Sequence, residues 1–291
     1  MTGSITDVAG VAVGNMTRDR TGVTVVLLPE GTTASCEVRG GAPASRETAL
    51  LEPTKLVEHA DAIVLTGGSA FGLATADGVM TFLAMRGRGF RSTAGPVPIV
   101  PTAAIFDLVA SEGAHPTADD GAAAAAAAVA GAALETGRVG AGTGATVGKW
   151  RGAAHGVPGG LGAASVRVGD ATIGALAVVN AVGDVVADDG SILAGSTAPP
   201  GTGPYPDPPL GPGESTTLVV VATDARCSKV GCQLLAQSAH DGLARAVRPV
   251  ATRFDGDIAF AAATGVVEAH FDRLRLGVVD AVAAAVRSSV A

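Results

Sequence analysis

The junction between a Gly/Pro-rich segment and a strand-like run constrains this chain more than any other feature. Residues 199–213 consist mostly of Gly and Pro, and they are followed by Glu214, by the hydroxyl residues 215–217 and by the apolar, largely β-branched residues 218–222. The apolar run is typical of a buried strand, and the Gly/Pro-rich segment is typical of a loop. The sequence therefore predicts a strand that begins abruptly behind a loop.

This junction has two interpretations. A cut inside the hydroxyl run would make a Ser or Thr the first residue of a new chain, and a hydroxyl with a free α-amine on one residue supplies nucleophile and general base together. The alternative is an ordinary boundary between a loop and a strand, which is common. The rest of the sequence has to decide between a self-cleaving precursor and an ordinary loop.

Composition excludes several classes of protein. The 47% hydrophobic content with only 3% aromatic residues predicts a core of small aliphatic side chains. A net charge of −7 and the absence of any Lys/Arg cluster argue against a nucleic-acid partner. The N-terminus does not have the pattern of a signal peptide, and the Ala-rich stretch 122–134 is too short and too weakly apolar to span a bilayer. We therefore expect a soluble cytoplasmic protein without a membrane partner.

No cofactor or metal site is predicted. The three cysteines lack CxxC spacing and the five histidines lack an HExxH arrangement. Residues 140–145 fit the G-x-G-x-x-A pattern of dinucleotide binding, but no clear strand precedes them and no apolar-periodic helix follows. We therefore do not expect a bound nucleotide.

Hydrophobic patterning predicts alternating strands and helices. The strands are expected at 23–28, 62–65, 163–168, 172–179, 217–222 and 257–262, and the helices at 70–85, 118–135, 228–247 and 268–290. Because there is no strict βαβ repeat, we predict an α+β fold of sheets covered by helices. Residues 216–291 alone would leave a sheet face uncovered, so we expect 1–291 to form a single domain.

Several polar residues are candidates for chemistry. Lys149, in a Gly-rich loop, could place an ammonium beside a reacting carbonyl, although a solvated lysine is the plainer interpretation. Asn180 at a strand end could donate to an oxyanion or simply form a turn. Asp255 and Asp257 could orient a nucleophile and its amine, but Asp-Gly turns without function are common. The turn 66–72 offers backbone N–H groups for an oxyanion or carboxylate, or packs tightly.

Taken together, these segments resemble the DmpA-type family of L-aminopeptidase/D-esterases, which includes β-aminopeptidases and nylon-oligomer hydrolases. The similarity spans nearly the whole chain and is carried by residues 40–48, 65–74, 138–145, 178–184, 216–224 and 255–257. It implies a four-layer αββα sandwich like that of N-terminal-nucleophile hydrolases and of ornithine acetyltransferases. It also implies homo-oligomers, of which a tetramer of processed heterodimers is one arrangement.

The resemblance also implies roles for individual residues. Members cleave themselves before a Ser or Thr, which places the cut between Ser215 and Thr216 and yields fragments 1–215 and 216–291. Lys149 and Asn180 would then assist the oxyanion. Asp255 and Asp257 would orient the Thr216 amine and hydroxyl. The substrate pocket would be formed by Phe106, Gly67, Gly68 and Ser69.

Two positions depart from the family pattern. Phe106 stands where some members have a tyrosine, and Ser215 replaces the asparagine or glycine often found before the cut. The predicted function is a self-processing hydrolase that cleaves amide bonds of small peptides or amino-acid amides and esters through an acyl-enzyme. The alternatives are an acyltransferase of the ornithine-acetyltransferase type and an unprocessed binding or scaffold protein with the same fold.

Overall fold

The computed structural model describes residues 3–131, 133–205 and 214–291. Part of the predicted linker therefore lies outside the described residues. The strands are β1 (Ala12–Arg18), β2 (Thr21–Leu27), β3 (Thr33–Val38), β4 (Ala44–Arg46), β5 (Ala62–Thr66), β6 (Phe90–Ser92), β7 (Gly95–Val97), β8 (Thr102–Ala104), β9 (Thr146–Val147), β10 (Val157–Pro158), β11 (Gly160–Val168), β12 (Ala171–Asn180), β13 (Asp184–Val186), β14 (Ile192–Ala194), β15 (Thr216–Ala225), β16 (Val247–Arg248) and β17 (Ile258–Val267).

The α-helices end close to where the sequence predicts, with two differences. They are α1 (Ser69–Gly72), α2 (Thr75–Ala84), α3 (Ala118–Ala130), α4 (Lys229–Ala246) and α5 (Phe271–Ser288). The helix predicted over 70–85 is divided between α1 and α2. The helix predicted to reach residue 135 ends at Ala130, because Gly131 adopts a left-handed φ of 71° that terminates it. At its start Thr117 and Asp120 form the capping box.

Two five-stranded sheets form the centre of the molecule. Sheet one has the order β1-β2-β5-β8-β4 and sheet two the order β11-β12-β15-β17-β3. In each sheet the pairings are antiparallel except one parallel pair, β5 with β8 in sheet one and β15 with β17 in sheet two. The strands predicted at 163–168 and 172–179 form an antiparallel hairpin that turns at residues 169–170, because Val168 pairs with Ala171.

The sheets pack face to face and each carries helices on its outer side. Successive residues of β15 alternate between two cores, since side chains of a strand point to opposite faces. Leu218 and Val220 contribute to the core between the sheets, whereas Val219 and Val221 pack in the core that includes residues of α4 and α5. A third core joins sheet one to α2 and α3. The predicted αββα sandwich is therefore confirmed.

Strand β15 ties the two sides of the predicted cleavage point together. It lies between β12, which precedes the junction, and β17, which follows it, and β17 in turn pairs with β3 near the N-terminus. The segment after residue 215 thus supplies interior strands of sheet two. Of the helices in the described residues, none combines the length and apolarity needed to cross a membrane.

Candidate active site

Thr216 is the first residue of β15 and is buried, with 1% of its surface exposed. In the register of sheet two it lies opposite Asn180, the last residue of β12. Its Oγ1 donates a hydrogen bond of 2.6 Å to the carbonyl oxygen of Ser215. The same carbonyl accepts the backbone N–H of Gly256 at 2.9 Å. A hydroxyl is thus held against the peptide group that precedes it.

Lys149 is buried next to this junction. Its own N–H donates to the carbonyl of Val182, which fixes the loop after β9. Its ammonium Nζ donates to the carbonyl of Asn180 at 3.1 Å, to Asn180 Oδ1 at 3.0 Å and to the carbonyl of Glu214 at 3.2 Å. Burial lowers the pKa of Lys149 to about 7, against the opposing effect of the negative charges of Asp255 and Glu214.

Both polar atoms of the Asn180 side chain have hydrogen-bond partners in the intact chain. Besides the lysine, its Oδ1 accepts the N–H of Thr146 at 3.0 Å. Its Nδ2 donates to the carbonyl of Phe106 at 3.1 Å, which connects sheet two to the loop that follows β8 in sheet one. Asn180 therefore holds Lys149 in place from both its backbone and its side chain.

Asp255 and Asp257 flank the junction through neighbouring residues. Asp257 Oδ1 accepts the N–H of Thr217 at 2.6 Å and its Oδ2 accepts that of Ala251 at 3.1 Å. Asp255 accepts from Val182 and Thr252 and forms a parallel bridge with Ser215. Among the hydrogen bonds of the described residues, neither carboxylate accepts from Thr216. Burial, and secondarily the charge of Asp255, raises the pKa of Asp257.

A cavity of about 210 Å³ opens beside these groups. Its wall is partly apolar, and it brings the Lys149 ammonium together with the residues just before the predicted cut. The lining residues are Phe106, Asp107, Val109, Ala110, Gly144, Thr146, Lys149, Ala153, Glu214 and Ser215. Larger cavities of about 430, 450 and 490 Å³ are lined by other residues, none of them a predicted catalytic residue.

The structure brings only one of the four residues assigned to the substrate pocket to this cavity wall, namely Phe106. Three N–H groups of the predicted anion-binding turn, those of residues 67–69, already have partners within the protein. That of Gly67 donates to the carbonyl of Gly22, and that of Ser69 to the carbonyl of Ile105. Gly68, with a left-handed φ of 78°, donates to Asp107 Oδ1 at 2.6 Å. The turn thus binds a carboxylate, but one of the protein's own.

Sequence reasoning missed several groups of this site. Asp107 is buried, lines the cavity and has a pKa raised chiefly by that burial. Thr146, the carbonyl of Glu214 and the N–H of Gly256 complete the hydrogen bonds around the junction. Only their positions in the sequence could have indicated these groups: Asp107 follows Phe106 directly, and Gly256 separates the two aspartates.

Known proteins of similar sequence are enzymes of amide hydrolysis. Residues 3–291 match the model of peptidase family S58. An uncharacterized aminopeptidase of Mycobacterium leprae is 44% identical over 300 residues, which cover 91% of this chain and 80% of the relative. A 6-aminohexanoate-oligomer endohydrolase of Kocuria sp. is 32% identical over 277 residues, which cover 90% and 75% of the two chains.

Solved structures share the fold. A β-aminopeptidase of Burkholderia sp. has a TM-score of 0.72 at 24% identity and covers 98% of this chain and 85% of its own. The L-aminopeptidase/D-Ala-esterase/amidase of Ochrobactrum anthropi, a variant of the Ntn-hydrolase fold, has a TM-score of 0.70 at 21% identity, with 98% and 85% coverage. The fold is therefore that of the Ntn hydrolases.

The family match identifies the chain more closely than the fold does. It belongs to peptidase family S58, which confirms the resemblance inferred from its motifs. The protein is accordingly a hydrolase of peptide or amide bonds.

Proposed function

We propose that this protein cleaves itself between Ser215 and Thr216 and then uses the freed Thr216 as the nucleophile of an amide hydrolase. The observation that carries the proposal is the 2.6 Å hydrogen bond from Thr216 Oγ1 to the carbonyl oxygen of Ser215, at a buried strand end. A hydroxyl already held beside the carbonyl group that it would attack needs little reorganisation to react.

The freed residue would carry both catalytic functions. Once the Ser215–Thr216 bond is cut, the nitrogen of Thr216 becomes an α-amine, which can take the proton from its own Oγ1. Oγ1 then attacks a substrate carbonyl, an amine or alcohol leaves, and water hydrolyses the acyl-enzyme. Asp257 keeps Thr216 in position through its hydrogen bond to the N–H of Thr217, and Asp255 through its backbone bridge to Ser215.

Lys149 is the donor that such a cut would expose. In the intact chain one of its three hydrogen bonds goes to the carbonyl of Glu214, on the upstream side of the cut. If Glu214 withdraws, that N–H points into the cavity, where it can stabilise the oxyanion of a substrate. Asn180 supports this donor through its Oδ1 and carbonyl, and its Nδ2 becomes a second donor if it leaves Phe106.

The cavity and the relatives together suggest the substrate class. A volume of about 210 Å³ with apolar walls at Phe106, Val109, Ala110 and Ala153 suits a small acyl group. The relatives are named as an uncharacterized aminopeptidase and a 6-aminohexanoate-oligomer endohydrolase. We propose short peptides, amino-acid amides or esters, or short linear amide oligomers as substrates. A homo-oligomeric state and a cytoplasmic location stay predictions.

Replacement of the nucleophile tests the proposal directly. The purified wild-type protein should give two masses that correspond to residues 1–215 and 216–291, whereas Thr216→Ala should give one mass for the intact chain and no amidase activity. Thr217→Ala is the matched control, because this adjacent buried threonine carries the same hydroxyl without the predicted role. An uncut wild-type chain, or a Thr216→Ala variant that still splits, would refute the proposal.

The acyltransferase alternative requires a separate assay. An acyl donor is incubated with the processed protein in water, with and without an amine acceptor. We expect free acid to dominate in both reactions. If acylated amine dominates at modest acceptor concentrations, the protein is a transferase that uses the same nucleophile.

A further inference from the structure

The carbonyl oxygen of Ser215 has a donor that the predicted catalytic residues do not include. Lys149 donates to the carbonyl of Glu214, one residue further upstream, and Asn180 Nδ2 donates to Phe106. The oxygen of Ser215 instead accepts the backbone N–H of Gly256 at 2.9 Å. This atom is the one that would gain negative charge during self-cleavage.

We infer that the backbone N–H of Gly256 is the oxyanion donor of the self-cleavage step, distinct from the side chains that serve substrate turnover. This inference rests on the proposed self-cleavage at Ser215. It gives Gly256 a catalytic role, since its N–H touches the reacting carbonyl.

Self-cleavage moves the acyl group of Ser215 from the nitrogen of Thr216 to its Oγ1. Thr216 Oγ1 forms a bond to the carbonyl carbon of Ser215, and the π electrons of the carbonyl move to its oxygen, which Gly256 N–H stabilises. The tetrahedral intermediate collapses by breaking the bond from this carbon to the Thr216 nitrogen. That nitrogen receives the proton that Oγ1 lost, which leaves an ester. Water then adds to the ester carbon, the bond from this carbon to Oγ1 breaks, and Oγ1 takes a proton from the water, which leaves Ser215 with a new carboxyl group.

The donor is held rigidly before the reaction begins. Its neighbours on both sides are fixed to the loop after β3, because Ala42 N–H donates to the carbonyl of Asp255 at 3.1 Å and Arg39 N–H donates to the carbonyl of Asp257 at 2.8 Å. The Asp255 carboxylate is fixed as well, by Val182 and Thr252. Preorganised donors of this kind stabilise developing charge without a cost of reorganisation during the reaction.

The same packing explains why glycine occupies this position. A Cβ on Gly256 would lie 2.5 Å from the carbonyl oxygen of Ala42 and 3.0 Å from the Cα of Pro43. A side chain would therefore push the loop apart and move the N–H away from Ser215. It also follows that ordinary substitutions cannot test the donor, because they disturb the fold.

An amide-to-ester exchange removes the donor without adding a side chain. Cell-free translation with a suppressor tRNA can place glycolic acid at position 256, which replaces the N–H by an oxygen. The matched control places lactic acid at position 42, where the exchange removes the Ala42 N–H that donates to Asp255 in the same packed region. Intact mass followed over time gives the rate of the 215/216 cut and distinguishes it from hydrolysis of the introduced ester.

We expect the Gly256 ester to cut itself about 10²–10³-fold more slowly than the unsubstituted chain, the usual effect of losing one oxyanion donor. The Ala42 ester should stay within about tenfold, as for one ordinary hydrogen bond. After long incubation, turnover per processed molecule of the Gly256 ester should stay within a few fold of normal, because Lys149 and Asn180 serve that step.

Equal rates for the two esters, or a loss of turnover in parallel with cleavage, would overturn the role of Gly256 while leaving self-cleavage intact. An unsubstituted chain that never cuts itself would instead remove the proposed function and this inference together.

Discussion

The two five-stranded sheets have the same pattern of parallel and antiparallel pairings, yet they meet the active site from opposite strand ends. Sheet one directs the carboxyl ends of its parallel strands β5 and β8 to the site, and the loops that follow supply Gly68, Phe106 and Asp107. Sheet two directs the amino ends of its parallel strands β15 and β17 there, with Thr216 first in β15.

This difference in strand direction separates the proposed nucleophile from the loops that line the cavity. Only a strand that begins at the site can present a newly freed α-amine there, so the proposed nucleophile lies on sheet two. A strand that ends at the site is followed by a loop, and loops provide walls and binding groups. We therefore expect changes on the sheet-two side to affect rate, and changes on the sheet-one side to affect stability and substrate fit.

The largest effect is expected for Lys149→Met, which removes the ammonium that binds Asn180 at the end of β12. Loss of one oxyanion donor typically lowers kcat by about 10²–10³-fold, and the amidase rate of processed protein measures it. Lys229→Met is the matched control, since Lys229 is also buried and donates to the carbonyls of Leu50, Lys55 and Val57. A similar rate loss in both variants would show a general effect of buried lysines.

The second test measures how burial of the Lys149 ammonium makes the free energy of unfolding depend on pH. Its folded-state pKa of about 7 lies below the unfolded value of about 10.4. Between these values the unfolded chain binds the extra proton, so this group makes stability rise with pH, by at most about 1.4 kcal/mol per pH unit.

Urea denaturation at several pH values from 7 to 10 checks this slope. Thr216→Ala, which is expected to stay intact, should gain stability over Thr216→Ala/Lys149→Met as the pH rises. Parallel curves for the two proteins would contradict the lowered pKa.

On the sheet-one side, Asp107→Ala should destabilise the protein by about 1–3 kcal/mol, because it leaves the buried N–H of Gly68 without an acceptor. Asp107→Asn keeps an acceptor oxygen and removes a charge that burial disfavours, so it should stay within about 1 kcal/mol of wild type. Chemical denaturation of both variants measures the difference. Equal losses would mean that the carboxylate, and not the acceptor, stabilises the turn.

The smallest effect is expected for Phe106→Tyr, which adds a hydroxyl to the cavity wall. One hydrogen bond contributes about 0.5–1.5 kcal/mol, so kcat/KM should change by about two- to tenfold, with the direction depending on the substrate. Phe71→Tyr, on the exposed face of α1, is the control and should change nothing. A hundredfold change in kcat/KM for Phe106→Tyr would mean that this side chain takes part in the reaction itself.

The layered fold could be predicted from the sequence because its strands and helices have clear periodicity. Strand β15 is an example, since it extends the predicted residues 217–222 by one residue at its start and by three at its end. The division of the predicted helix 70–85 was not predictable from spacing. It reflects a change in backbone hydrogen bonding, since the N–H groups of Leu73, Ala74 and Ala76 donate to carbonyls three residues back instead of four.

Residues of the site could be predicted from the sequence only where the type of side chain indicates the role. The segments around Lys149, Asn180, Thr216, Asp255 and Asp257 stood out, and the structure brings these residues together. The N–H of Gly256 and the carbonyl of Glu214 are backbone atoms that every residue has, so their roles depend on how the sheets meet. Asp107 was missed because its partner, Gly68, lies in another loop of the same sheet.

The position of β15 and β17 between β12 and β3 has a practical consequence for handling the protein. Hydrogen bonds run along both edges of this pair, so breaking one peptide bond does not release either piece. An affinity tag fused to either terminus should retrieve both polypeptides in equal amounts under native buffer. Only a denaturant would let them be purified apart.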